Sequence, residues 1–254
     1  MFIDIHCHIE DEENVSNIID DYLRDSVDTV INSGANLKSS ILSKELAKKH
    51  KSVYFACGVH PSDIEELDQN VLDKLEELAK DEKCLAIGEI GLDYHWEPFD
   101  KDKQIKGFVD QINLANKLDL PVVIHSRDAT KDTIDILKAN PVARGGVMHC
   151  FSGSKETALE YVKLGFYISF GGTLTFKNAS VLKEVALCLP MDKILTETDS
   201  PYLSPHPFRG TKNQPKNVSL VTAFLSELKG LDIEEVAKNV KENAKKLFYK
   251  LKSI

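Results

Sequence analysis

Phe2-Ile3-Asp4-Ile5-His6-Cys7-His8 is a short apolar run that turns polar toward its C-terminal end. Its pattern predicts a strand, and along a strand residues i and i+2 face the same way, about 6.6 Å apart. His6 and His8 then reach one point, while Cys7 faces the opposite side. Two unrelated polar side chains near a strand end would look the same, so the reading turns on whether other strands end alike. Further apolar runs lie at Val27–Ile31, Val53–Val59, Cys84–Ile90, Val122–Ile124, Gly146–Met148, Phe166–Phe170 and Ile194–Leu195. Between them are amphipathic stretches at Val15–Arg24, Ile41–His50, Ile64–Lys80, Gln104–Lys117, Thr130–Ala139, Lys155–Lys163 and Ala179–Leu187. Two helices close the chain. One spans Val218–Leu228; the other is capped by Asp232 and carries Ile233, Val236, Val240, Ala244, Leu247 and Phe248 on one face.

Eight strand–helix units in 254 residues predict an α/β fold, a single TIM-like (β/α)8 barrel over residues 1–254. The rival is an open doubly wound sheet, but no G-x-G-x-x-G follows an early strand. No internal repeat, low-complexity segment or linker divides the chain.

Composition narrows the class. Hydrophobic residues at 42% and charged residues at 28% exclude disordered and fibrous proteins. A net charge of −8 argues against gripping nucleic acid with a basic surface alone, though not against an enzyme whose bound cations supply positive charge. The five cysteines are an odd number with no C-x-x-C pair, the N-terminal run lacks a basic leader, and no stretch approaches a membrane span. The expectation is a cytoplasmic protein with reduced thiols.

A barrel concentrates chemistry at the C-terminal ends of its strands. There the sequence places His6 and His8, His60, Glu89, His125, His149, and the pair Glu197 and Asp199. Glu89 lies within Ala86-Ile87-Gly88-Glu89-Ile90-Gly91, where a carboxylate is costly unless it is ion-paired or metal-bound. Its two oxygens suit it to bridge two cations. His125 and His149 each end an apolar run; either alone reads as a hydrogen-bonded core histidine, and together they read as ligands. Asp199 suits both ligation and acceptance of a proton from water. Glu197, of the same parity, is assigned to the barrel interior or to supporting the ligands. Four imidazoles and two carboxylates can hold two divalent ions (Mg, Mn, Zn or similar), with a one-ion arrangement left open. The nitrogen-rich set favours Zn, Mn, Fe or Co over Mg. Two such ions would activate a water and polarise a phosphoryl or carbonyl oxygen, which is hydrolase chemistry.

Six motifs carry a resemblance to a known family. Phe2–His8, Gly58-Val59-His60-Pro61, Ile87–Tyr94, His125-Ser126-Arg127-Asp128-Ala129, Met148–Gly153 and Glu197–Leu203 are similar to those of the TatD family of metal-dependent deoxyribonucleases. The resemblance implies an amidohydrolase-type barrel and hydrolysis of DNA phosphodiesters, often as a 3′→5′ exonuclease on single strands. It implies metal ligation by His6, His8, Glu89, His125, His149 and Asp199, and contact of His60 with substrate phosphate. Phe208–Pro215 resembles a family loop read as R-G-x-R-N-E-P, with Lys212 and Gln214 replacing the arginine and glutamate.

Glu89 and Asp199 are thus the expected catalytic residues. Of four arginines, Arg127 and Arg209 follow strands five and eight, where a guanidinium fork suits phosphate oxygens; the alternative for each is a structural ion pair. Lys177 is a weaker phosphate candidate. Rim loops also carry Tyr94, Trp96, Phe99, Phe176, Tyr202 and Phe208, which either cap the barrel core or stack bases. Trp96 is the preferred stacker, with Tyr94 beside it. The expected partner is DNA, as single strands or 3′ ends, with no membrane and no obligate protein partner. Two other readings stay open: an ester or amide hydrolase on the same scaffold, for example a D-aminoacyl-tRNA deacylase, and a barrel kept as a binding module. Many relatives in the wider superfamily bridge their metals with a carboxylated strand-four lysine; glutamate here favours the nuclease branch.

Overall fold

A computed structural model gives the fold for residues 1–9 and 14–251. Eight strands, β1 (Phe2–Cys7), β2 (Val27–Ser33), β3 (Val53–Cys57), β4 (Cys84–Asp93), β5 (Val122–Arg127), β6 (Gly146–Met148), β7 (Phe166–Phe170) and β8 (Ile194–Thr196), pair in parallel in sequence order. Helices α1 (Val15–Arg24), α2 (Leu37–Lys49), α3 (Gln69–Ala79), α4 (Lys101–Leu118), α5 (Thr130–Ala139), α6 (Lys155–Lys163), α7 (Ser180–Cys188), α8 (Val218–Lys229) and α9 (Ile233–Leu247) alternate with the strands or follow the last one. The strands are covered on both faces, and all of β4 is buried. The expected barrel is therefore present. Among the described residues no helix is long and apolar enough to cross a membrane.

Local chemistry explains where the elements differ from their sequence-based bounds. The helix expected over Ile64–Lys80 divides into a short 3-10 segment, Pro61–Glu66, and α3, because Asp68 is extended and its Oδ1 caps the Val71 N–H at 2.8 Å. α2 begins before Ile41, where Asn36 and Ser39 form a reciprocal capping box. β4 runs past Ile90 to Asp93, pairing Gly91, Leu92 and Asp93 with His125, Ser126 and Arg127. Gly91 permits this at φ +141°, since a Cβ there would lie 1.9 Å from the His125 carbonyl oxygen.

β3 stops at Cys57, before Val59, and its missing ladder bonds come from a side chain. Gln111 of α4 accepts from the Val59 N–H at 2.7 Å and donates to its carbonyl at 3.0 Å. On the same helix Gln104 treats Asp93 alike, at 2.9 Å in each direction. Two buried amides, two helical turns apart, thus fix the rim beside His60 and His125.

The seam between β8 and β1 is closed by few bonds. Cys7 and Ser200 form an isolated parallel bridge, the Asp199 N–H donates to the His6 carbonyl at 3.0 Å, and the His8 N–H to the Ser200 carbonyl at 2.7 Å. Asp4, fully buried, reinforces it by accepting from the Thr198 N–H at 2.9 Å and the Thr198 hydroxyl at 2.5 Å. Burial pushes the Asp4 carboxyl well up, against the lowering by its bonds to Thr198 and His6. Asp4→Ala is expected to lower stability by about 1–3 kcal/mol through orphaned buried donors. Asp4→Asn, neutral and of the same shape, should stay within about 1 kcal/mol of wild type. Urea denaturation midpoints check both; a tolerated alanine would show that the seam does not depend on Asp4.

Candidate metal centre

Parallel strands deliver the predicted side chains to one mouth of the barrel. His6 and His8, two residues apart across the end of β1, bring their Nε2 atoms to 3.1 Å. Cys7 points the other way, toward the Ile31 carbonyl and Asn32. On the facing side His125 Nδ1 and His149 Nε2 lie 3.4 Å apart. Between the pairs stands Glu89. Its Oε2 is 3.4 Å from His6 and 3.6 Å from His8; its Oε1 is 3.0 Å from His125 and 2.8 Å from His149. Asp199 Oδ1 joins the first pair at 3.8 and 3.6 Å. One carboxylate therefore offers a separate oxygen to each of two imidazole pairs, and each set has donor atoms within reach of a single cation.

The remaining ring nitrogens decide how the imidazoles face the centre. His8 Nδ1 lies 2.9 Å from the Ser33 carbonyl, which can only accept, so that nitrogen carries hydrogen and Nε2 is left for the centre. His125 Nε2 donates to Asp93 at 2.9 Å, leaving Nδ1 for the centre. His149 Nδ1 lies 3.2 Å from Glu197 Oε1, which also accepts the Cys150 N–H at 2.6 Å. His6 Nδ1 pairs with the Ser33 hydroxyl at 3.0 Å. Glu197 thus supports a ligand candidate from behind.

His60 is turned the other way. Its Nδ1 accepts the Ser62 N–H at 3.1 Å, so the neutral ring carries its hydrogen on Nε2, facing Glu89 Oε1 at 3.6 Å. Burial lowers its pKa to about 4, outweighing the pull of Glu89, so at neutral pH it offers an N–H rather than a lone pair. Asp93 lies near His60 and His125, but it is occupied in holding His125.

The other predicted residues divide. Arg127 packs over Trp96 with its guanidinium carbon 5.4 Å from the ring centroid, and Arg209 over Phe176 at 4.3 Å. Among the described residues neither has a carboxylate at ion-pair distance, whereas Arg24 and Arg144 pair with Asp21 and Asp119. Trp96 is 66% exposed. Tyr94 is held by its neighbours. Its ring is stacked on Phe99 at 5.0 Å, Lys101 lies over it at 5.2 Å, and its hydroxyl donates to Asp132. These contacts make it a brace of the rim.

Several positions escaped the sequence reading. Ser33 and Asp93 orient histidines, Thr198 ties Asp199 to Asp4, and Asn213 donates to the Thr198 and Tyr202 carbonyls at 2.9 and 2.7 Å. Asp93, Thr198 and Asn213 lie inside the motifs Ile87–Tyr94, Glu197–Leu203 and Phe208–Pro215 without a role of their own being legible there, and Ser33 carries no local signal. Asp199 itself sits at φ +56°, in the left-handed region, held there by its neighbours. A cavity of about 580 Å³ opens beside His8, between α1 and the segment carrying Asn213 and Gln214.

A family model described as TatD related DNase matches residues 3–249. The chain belongs to the TatD family. The uncharacterized metal-dependent hydrolase YabD of Bacillus subtilis (strain 168) is 42% identical over 252 residues, 98% of this chain and 99% of its own. The uncharacterized metal-dependent hydrolase YcfH of Escherichia coli (strain K12) is 39% identical over 97% of this chain and 95% of its own. The crystal structure of YjjV, a TatD homolog from Escherichia coli K12, is similar with a TM-score of 0.93 at 32% identity, covering 98% of each chain. This TatD protein is a metal-dependent hydrolase, and its clustered histidines and carboxylates are the candidate groups for the metal.

Electrostatics suit a cation. Burial pushes the Glu89 carboxyl up, but His149, His60, His6 and the bond to His125 together hold it well below the usual range. Burial lowers His8, yet Asp199 and Glu89 raise it to about 9; His149 is likewise driven well up by Glu89 and Glu197 against its burial. Without a cation these imidazoles carry protons at neutral pH, and a cation must expel them. Divalent metal binding at pH 7.5 should therefore release about one proton or more, less above pH 9. Calorimetry in buffers of different ionisation enthalpy measures this; proton-neutral binding at pH 7.5 would contradict the assignment.

Proposed function

We propose that the protein is a divalent-metal-dependent deoxyribonuclease that shortens single-stranded DNA from its 3′ end. The observation that carries this reading is the division of Glu89, whose two oxygens each face a separate histidine pair. In this reading His6, His8, Glu89 and Asp199 would hold one cation, and His125, His149 and Glu89 would hold a second. Bound there, divalent cations supply Lewis acidity toward a phosphoryl oxygen and make water acidic enough to attack.

The chain's own groups do the rest. Asp199 accepts the proton of the attacking water. Burial pushes its carboxyl up, but the bond to His8 and the charges of His149, His6 and His8 keep it below the usual value and ionised. Its backbone is fixed by the bond to His6 and by the Thr198–Asp4 clamp. His60 donates its Nε2 hydrogen to a non-bridging phosphate oxygen. Arg127 and Arg209, which have no carboxylate at ion-pair distance among the described residues, contact substrate phosphates, and Trp96 stacks a base. The description of the matching family model supports DNA as the substrate. A cytoplasmic site of action belongs to the same proposal and suits the unpaired pattern of cysteines.

A 5′-labelled single-stranded oligonucleotide incubated with Mg, Mn or Zn should give a ladder shortening from the 3′ end, abolished by EDTA. Glu89→Ala and Asp199→Ala are each expected to lower kcat by about a thousandfold. Near-normal cleavage by either variant would sink the mechanism. Intact oligonucleotide under every metal would redirect the enzyme to ester or amide substrates such as D-aminoacyl-tRNA.

His60→Ala should lower kcat/KM by about ten- to a hundredfold, the loss of one hydrogen bond to a charged oxygen. Metal content should be kept, because that ring donates and does not ligate. Loss of bound metal in this variant, read by elemental analysis, would make His60 a ligand instead.

A further inference from the structure

Two separate groups of arginine and aromatic rings stand on the rim. The first joins Trp96, in the loop after β4, to Arg127 at the end of β5, with 5.4 Å from guanidinium carbon to ring centroid. His95 meets Trp96 edge-on at 4.7 Å, and its Nδ1 is 2.8 Å from Asp128, so the tryptophan is braced yet open to solvent. The second places Arg209 over Phe176 at 4.3 Å, joining the loops after β8 and β7. The same loop after β8 carries Tyr202 and Phe208, 61% and 48% exposed. Tyr202 reaches the centre itself, its ring 6.3 Å from that of His8.

The strand order sets these groups apart. In a ring running β1 to β8, β4 lies opposite β8, so the first group faces the second across the mouth. Eight strands about 4.8 Å apart and tilted about 36° enclose a ring roughly 15 Å across. Glu89 on β4, His125 on β5 and Asp199 after β8 put the metal centre between the two groups. Each side offers one guanidinium with no carboxylate partner among the described residues and at least one exposed ring, in a chain of net charge −8. Charge next to an open ring matches the alternation of phosphate and base along a single strand. In a duplex the bases are stacked on each other and unavailable.

We propose that the two groups bind neighbouring nucleotides of one single strand, on opposite sides of the bond that is cut. One group holds the nucleotide to be released and the other holds the strand that remains. This inference rests on the nuclease reading above, and it adds Tyr202, Phe208 and Phe176 to the substrate surface. It makes substrate with a nucleotide on both sides of the bond bind better than a mononucleotide.

Trp96 is the only tryptophan, so its emission reports the first group directly. The protein as purified with its metal is titrated with a turnover-resistant phosphorothioate trideoxynucleotide, and separately with dAMP. The trinucleotide should quench Trp96. Arg209→Ala, across the mouth, should weaken the trinucleotide affinity read at Trp96 by about tenfold, equivalent to about 1.4 kcal/mol. Arg209→Lys, which keeps the charge, should recover part of that loss. Quenching by dAMP, too short to reach both groups, should not respond to Arg209. Equal trinucleotide affinity in wild type and Arg209→Ala overturns the proposal, as does an equal effect of Arg209 on dAMP. Coupled quenching without cleavage of ordinary oligonucleotides would reject the nuclease reading and keep the two-sided binding. Cleavage without quenching or coupling would do the reverse.

Discussion

Glu89 sits on a wholly buried strand with its carboxylate removed from water, and a charge so placed must be compensated within a few ångströms. Among the described residues no lysine or arginine reaches it. Its compensation comes from imidazoles arriving from β1, β5, β6 and the turn after β3. Imidazole is the one side chain that can meet this demand with a proton or, as a neutral ring, with a lone pair for a metal. The same cluster is therefore satisfied in two ways, and the exchange between them is what makes the mouth of the barrel a cation site rather than a buried ion pair.

That exchange works only if the rings cannot rotate. Each is anchored by its second nitrogen: His8 by the Ser33 carbonyl, His6 by the Ser33 hydroxyl, His125 by Asp93 and His149 by Glu197. The anchors are held in turn. Gln104 bonds both backbone groups of Asp93, and Cys150 donates to Glu197. His60 shows what happens when the anchor is a donor, since the Ser62 N–H takes its lone pair and turns a hydrogen toward the centre. One residue type thus serves two purposes, and the backbone neighbour chooses which.

Charge is distributed by the same economy on the outer rim. The chain is acidic, and its body arginines, Arg24 and Arg144, are neutralised by Asp21 and Asp119. The rim arginines rest on aromatic rings instead, which hold the guanidinium in place while leaving its hydrogen-bonding edge for an anion. An acidic protein thereby keeps two guanidinium groups at one mouth without a basic surface.

The ligand candidates were legible in the sequence because strand parity is local: a period of two fixes which of His6, Cys7 and His8 share a face, and an apolar run marks where a strand ends. Apolar spacing likewise gave the eight strand–helix units. The extension of β4 to Asp93 and the division of the helix expected over Ile64–Lys80 were hidden, since they follow from pairing with β5 and from the Asp68 cap. Tyr94 looked like Trp96 in sequence and differs in what its ring and hydroxyl contact. Only the tertiary structure decided which nitrogen each histidine presents, and that Asp4 and Thr198, 194 positions apart, close the seam that fixes Asp199. Those choices depend on partners brought together by barrel closure, and no spacing along the chain encodes a contact that exists only once the ring is complete.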